Sequence, residues 1–177
     1  MSELRIAYRY AKSIVELAGS QGKLDEVYSD IQSFHDVAKE NHDLVSMLNS
    51  PVIKAESKLS ILKSVFKNSQ PLFQLFIEKV VDAKRENHLP EIASQFIQIY
   101  NNKKGIATAT VTSAMPLSEA NLNNIKEYIA KKINKPHVKL SVKTDPTIVG
   151  GLIINYEDKL LDMSIRNELH KLKQFLN

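Results

Sequence analysis

The sequence predicts a mainly α protein with a small α+β part: an N-terminal six-helix bundle over residues 1–104, then a β-α-β-β-β-α domain over 105–177. Three observations predict it. Through residue 104, apolar side chains recur at spacings of three and four, the period of helices that each lay one face on a common core. Beyond that point the runs become rich in Thr, Val and Ile and begin to alternate, as strands do. Gly22, Pro51, Pro71 and Pro90 fall between the helical runs, where chain breaks belong.

The first helix carries Leu4, Ala7, Ala11, Ile14 and Ala18, and Gly19 and Gly22 offer its stop. The second carries the stripe Leu24, Val27, Ile31, Phe34 and Ala38. A short third segment, Asp43 to Leu48, ends before Pro51, and the fourth shows Ala55, Leu59, Leu62 and Phe66. Pro71 opens the fifth at a favourable first-turn position. The sixth begins around Pro90 with Ile92, Phe96, Ile99 and Tyr100, and Asn101 to Gly105 is the domain boundary. In the second part, Ile106 to Thr112 reads as a strand, and Ser118 to Ile133 as a helix with Leu122, Ile125, Ile129 and Ile133 on one face. Val138, Leu140 and Val142 alternate with Lys139, Ser141 and Lys143; Ile148 to Asn155 is a further strand, and Leu160 to Met163 a short one. Ile165, Leu169, Leu172 and Leu176 close the chain as a helix.

Composition narrows the function classes. There is no cysteine, which excludes disulfides, thiolate metal sites and a cysteine nucleophile, and makes a cytoplasmic setting the default. The net charge of +4 is mild: 14 basic against 13 acidic residues up to position 104, and 10 against 7 after it. The N-terminus lacks an apolar signal segment, and Ile148 to Ile154 is far shorter than the ~20 residues that span a bilayer. No two of His35, His42, His88, His137 and His170 stand three to five residues apart, so no helical pair can grip zinc. Phosphate-loop, dinucleotide and nucleophile-elbow motifs are absent; no catalytic residue, metal or cofactor is expected. Asp158 and Asp162 are the one carboxylate pair a small hydrolase would use, and turn formation and capping explain them better. Lys131, Lys132, Lys135, Lys139 and Lys143 make the one basic cluster, the surface that a free-standing RNA- or ribosome-associated adaptor would use. No aromatic pair interleaves those lysines, so a solvated strand face next to a helix C-terminus is the better account.

The fifth helix is unusually apolar. At 100° per residue, Leu72, Phe73, Leu75, Phe76, Ile77, Val80 and Val81 cover about 240°, interrupted by Lys79, where an ordinary surface helix needs little over 100°. Two readings fit: a central helix packed on several neighbours, or one wall of a groove for an amphipathic helix of another protein, with Lys79 at the rim.

The segment VKTDPTIVGGLIINYEDKLLDMSIRNELHKL resembles the C-terminal signature of the δ subunit of F-type ATP synthase, whose mitochondrial relative is the oligomycin-sensitivity-conferring protein. The matching positions are Asp145, Ile148, Gly150, Gly151, Ile153, Asp158, Asp162, Ser164, Arg166 and Leu169; Arg9-Tyr10-Ala11-Lys12 and Leu89-Pro90 fit as well. The resemblance implies a non-catalytic stator subunit, one copy per complex, peripheral on the cytoplasmic face of the bacterial inner membrane. It implies that the first domain binds the N-terminal helix of the catalytic-head α subunit between its first and fifth helices, through Tyr10, Ser13, Ile14, Phe76, Lys79, Val80 and Ala83. It implies that the second domain contacts the end of the peripheral-stalk b subunit, for which the last helix around Leu169, Leu172 and Phe175 is the candidate; those leucines also fit a core. Gly150 and Gly151 would permit close packing or a bulge, and Asp162 and Ser164 would cap the last helix. Residues 84–88 read Lys-Arg-Glu-Asn-His where many relatives carry a glycine, and no transit-like extension precedes the first helix, as in a bacterial subunit.

Overall fold

A computed structural model describes residues 3–133, 135, 137–156 and 159–175. Among them, six α-helices precede the first strand: α1 (Glu3–Ser20), α2 (Leu24–Glu40), α3 (His42–Asn49), α4 (Ala55–Val65), α5 (Pro71–Asp82) and α6 (Leu89–Lys104). Then follow β1 (Ile106–Ser113), α7 (Glu119–Ile133), β2 (His137–Thr144), β3 (Gly151–Tyr156), β4 (Lys159–Ser164) and α8 (Ile165–Phe175). The protein is mainly helical with one small mixed sheet. The chain divides into two compact units, Met1–Tyr100 and Asn101–Asn177. The division falls inside α6, a few residues before the change of sequence pattern.

In the first unit, the periodic residues of α1 and α2 form the core: Ala7, Ala11, Ile14 and Ala18 with Val27, Ile31 and Phe34. Phe34, Phe66 and Phe73 form a ring cluster, with centroids 5.4 to 6.4 Å apart, that joins α2, the end of α4 and α5. Asn41 caps α3 by accepting from the N–H groups of Asp43 and Leu44 at 3.0 and 3.2 Å.

One core residue is charged. Lys58, on the buried side of α4, donates to the Leu48 carbonyl at 2.8 Å and to Glu86 at 2.9 Å. It thus joins the end of α3 to the 3-10 turn Glu86–His88. Burial pushes the Glu86 carboxyl up, but the bond and charge of Lys58 more than offset this and hold it below its ordinary value. Ahead of that turn, Lys84 adopts φ +55°, the left-handed conformation in which a glycine is unstrained.

The second unit is a four-stranded sheet in the order β2-β1-β3-β4. β1 and β2 run parallel with α7 as their crossover; β1–β3 and β3–β4 are antiparallel. α7 lays Ile125 and Ile129 on Ala109, Val111, Ile154 and Tyr156. β2 and β4 are the edges. Ile148 is not part of a strand. Pro146–Ile148 form a 3-10 turn that buries Ile148 completely, and β3 starts at Gly151. The reason is local: proline fixes φ at the turn's first position, and Asp145 accepts from the Thr147 N–H at 2.9 Å.

Candidate functional site

α1 and α5 enclose an apolar cleft of ≈ 130 Å³ lined by Ser13, Ile14 and Leu17 from the one and Leu72, Leu75, Phe76 and Lys79 from the other. Ile14 and Leu72 form its buried floor, while Leu17 and Leu75 stand 45% and 48% exposed at its lips. Two apolar side chains left half in water on either side of a hollow are the feature that an amphipathic helix would cover. Ser13 donates to the carbonyl of Arg9 at 2.9 Å, so its hydroxyl is satisfied within α1. Lys79 reaches Asp82 at 3.6 Å, both well exposed.

The broad apolar arc of α5 serves two purposes. Phe73, Ile77, Val80 and Val81 are buried on one side of the helix. Leu72, Leu75, Phe76 and Lys79 form the cleft wall on the other. The arc is thus core on one side and cleft wall on the other. Of the seven residues expected at this surface, Ser13, Ile14, Phe76 and Lys79 line the cleft. Val80 does not, because it is fully buried with the core side of α5. Tyr10 is half-buried outside the lining, with the Arg9 guanidinium 5.9 Å from its ring centroid. Ala83 is the exposed C-cap residue of α5. Leu17 and Leu75 were legible: Leu17 lies one turn beyond Ser13 and Ile14, and Leu75 falls at the edge of the computed arc.

In the second unit the signature residues meet at one joint. The Gly150 carbonyl accepts from the Ile165 N–H at 3.0 Å, the first amide of α8. A Cβ on Gly150 would lie 2.6 Å from the Ile165 side chain, and one on Gly151 would run into the Met163 carbonyl. Gly151 also adopts φ +77°, so both its conformation and its neighbour demand glycine. Ser164 accepts from the Asn167 N–H at 3.2 Å and so caps α8. Asp162 accepts from the Ser164 N–H at 2.9 Å, a turn bond one residue ahead of the helix. Hydrogen bonds from Ser164 hold the Asp162 carboxyl below its ordinary value, and those from Thr147 do the same for Asp145; the Arg166 charge adds to both. Asp145 lies 21 positions from Arg166 in the chain, yet both belong to this joint.

From the joint, α8 extends with Ile165, Leu169 and Leu172 on one face, 43%, 55% and 59% exposed. These leucines are therefore not core in the second unit. The backbone of Phe175 closes α8. Asp158 lies outside the described residues, and Asp162 belongs to the joint. Lys131 and Lys132 end α7, and Lys139 and Lys143 lie exposed on the edge strand β2, where charge discourages pairing with another chain. Among the described residues no group of three or more His, Asp or Glu side chains could hold a metal ion, and no helix is long and apolar enough to cross a membrane.

The family model described as ATP synthase delta (OSCP) subunit matches residues 6–176. ATP synthase subunit delta of Cytophaga hutchinsonii is 36% identical over 98% of this chain and 94% of its own length. The same subunit of Lactobacillus gasseri is 35% identical over 99% of this chain and 97% of its own. A chain in the cryo-EM structure of the Toxoplasma gondii mitochondrial ATP synthase hexamer shares the fold, with a TM-score of 0.78 at 19% identity, over 96% of each chain. Nothing in these likenesses favours a nucleic-acid adaptor.

Proposed function

Because the chain belongs to the ATP synthase delta (OSCP) subunit family, we propose that it is a non-catalytic stator subunit that holds the catalytic head of an F-type ATP synthase to its peripheral stalk. In this reading the cleft between α1 and α5 takes the N-terminal helix of one α subunit. The exposed face of α8 takes the end of the b subunit. The protein sits, one copy per complex, on the cytoplasmic face of the bacterial inner membrane, held there through its partners. The observation that carries the reading is the apolar cleft with its half-exposed lips, Leu17 and Leu75.

The work asked of such a subunit is mechanical. Proton flow turns a rotor inside the head, and the head would turn with it unless anchored. An anchor needs slow dissociation under load. Apolar burial at ~25 cal/mol per Å² supplies that better than exposed ion pairs such as Lys79–Asp82, which contribute about 0–1 kcal/mol and weaken in salt.

The test is a titration of the full-length protein with a synthetic peptide of the cognate α subunit's N-terminal segment. Leu75→Asp and Leu17→Asp should abolish binding while circular dichroism stays helical, since both side chains are already half in water. Unchanged binding in both variants would reject the cleft as the docking site. Nucleotide turnover that survives purification and is lost on one point substitution would reject the non-catalytic reading.

A further inference from the structure

The two walls of the cleft are held in different ways. The side-chain hydrogen bonds and ion pair described for α1, from Ser13, Ser20 and the Lys12–Glu16 pair, all stay within that helix. α5 is tied from outside. Asp30, on α2, accepts from the backbone N–H of Gln70 at 2.7 Å, a bond that spans 40 positions. Gln70 immediately precedes Pro71, the first residue of α5, and Leu72 of the cleft floor follows. The start of α5 has no side-chain cap of its own and no acidic residue in its first turn. The Asp30 carboxylate supplies the negative charge that this helix start lacks.

We infer that Asp30, which does not line the cleft, is a positioning residue for docking there: by holding the backbone ahead of Pro71 it sets where Leu72, Leu75, Phe76 and Lys79 stand. The inference rests on the cleft being the docking site. From the loop side, Gln74 donates to the carbonyls of Lys67 and Ser69 at 3.2 and 3.3 Å, so the approach to α5 is fixed on two sides. Burial raises the Asp30 carboxyl above its ordinary value, and Glu26 adds to this against the opposing pull of the Gln70 N–H. Keeping Asp30 ionised therefore costs stability, and what its bond to Gln70 secures is the placement of α5.

Two variants of the full-length protein cut the bond from opposite ends. Asp30→Ala removes the acceptor. Gln70→Pro removes the donor at a residue whose φ of −56° already suits proline. Asp30→Asn keeps an acceptor without the charge. The readouts are affinity for the synthetic α-subunit peptide, at a temperature where all variants are folded, and amide exchange over Phe73–Phe76. Asp30→Ala and Gln70→Pro are expected to lose about tenfold or more in affinity and to speed exchange in the first turn of α5. Asp30→Asn is expected to bind within about threefold of the parent. A role confined to stability would lower the melting temperature and leave affinity unchanged, and that result overturns the inference, as does unaltered exchange at those amides. If the parent protein itself fails to bind the peptide, the docking reading falls, and with it the purpose assigned to Asp30. Parent binding matched by both bond-cutting variants overturns this inference alone.

Discussion

The first unit offers its free apolar surface as a hollow and the second as a ridge. In the hollow, Ile14 and Leu72 are floor and core at once, so the shape that would receive a partner depends on the packing that holds the helices together. On the ridge, Leu169 and Leu172 stand more than half exposed, while the residues that hold α8 in place lie at its base. Docking at the floor of the hollow would therefore be coupled to folding, and docking on the ridge separable from it. Stator duty would use the hollow for rigidity and the ridge for reach.

The largest expected contrast comes from placing aspartate at the floor of the hollow and on the ridge. Leu72→Asp buries a charge at the cleft floor and should destabilise by more than about 4 kcal/mol, seen as loss of helical dichroism. Leu169→Asp on the ridge should change stability by no more than about 0.5 kcal/mol while it removes binding to the b-subunit terminus. Equal effects in denaturant melts would erase the distinction between coupled and separable surfaces.

Next in size is the base of the ridge. Gly151→Ala adds strain at a positive φ and a collision with the Met163 carbonyl, and should cost about 3 kcal/mol in the second unit. Amide exchange should report opening of β3, β4 and α8 while the amides of α2 and α5 stay protected.

Acid sharpens the comparison further. The Asp145 and Asp162 carboxyls lie below their ordinary value when folded, so the unfolded chain binds protons first as pH falls. Their contribution is complete above the unfolded value of 3.8 and is lost as pH drops through the folded values. Asp30 has the opposite sign: its carboxyl is raised, so protonation favours the folded form, partly offsetting the loss from Glu86 in the same unit. As pH falls below 3.8 the second unit should loosen before the first, most visibly at low salt because the joint is exposed. Resonance intensities followed through an acid titration would show the order, and Asp162→Asn should flatten the response of α8.

The smallest effect is expected at Lys84, whose φ of +55° costs a non-glycine residue about 1 kcal/mol. Lys84→Gly should raise the stability of the first unit by about 0.5 kcal/mol in a urea melt, since glycine gives part of that back as chain entropy. A loss of stability would mean that the Lys84 charge, which helps to hold the Glu86 carboxyl down, outweighs the strain.

Periodicity made most of the fold legible. The stripes of α2 and α7, the alternation in β2 and the helix opened by Pro71 all depend on local spacing, and spacing is visible in one dimension. It misplaced Ile148, since a buried residue at the end of an apolar run looks alike in a strand and in a 3-10 turn; Pro146 and Asp145 were the signals against a strand. The resemblance put Val80 at the cleft, whereas the structure buries it in the core; a helical wheel shows that an arc is broad but not where one neighbour ends and the gap begins. Lys58 and Asp30 were invisible for a deeper reason. Each acts through a backbone group far along the chain, Leu48 O in one case and Gln70 N–H in the other, and backbone partners leave no residue-type trace. The signature at Asp145, Gly150, Gly151, Asp162, Ser164 and Arg166 could be recognised as a set, and only its convergence shows that it serves one joint.

The order of strands has a consequence for how the protein is made. β1 is the first strand of its unit to be synthesised and becomes an inner one, between β2 and β3. Its eight residues, IATATVTS, carry no charge and no proline. One of its edges stays open until β2 is complete at Thr144, and the other until the chain has grown through Tyr156, where β3 supplies the second partner. At roughly 5–20 residues per second, a ribosome leaves that strand unsheltered for a few seconds. The helical unit upstream is complete by then, so a nascent chain meets its main hazard of sticking to other chains late, with a finished domain already attached.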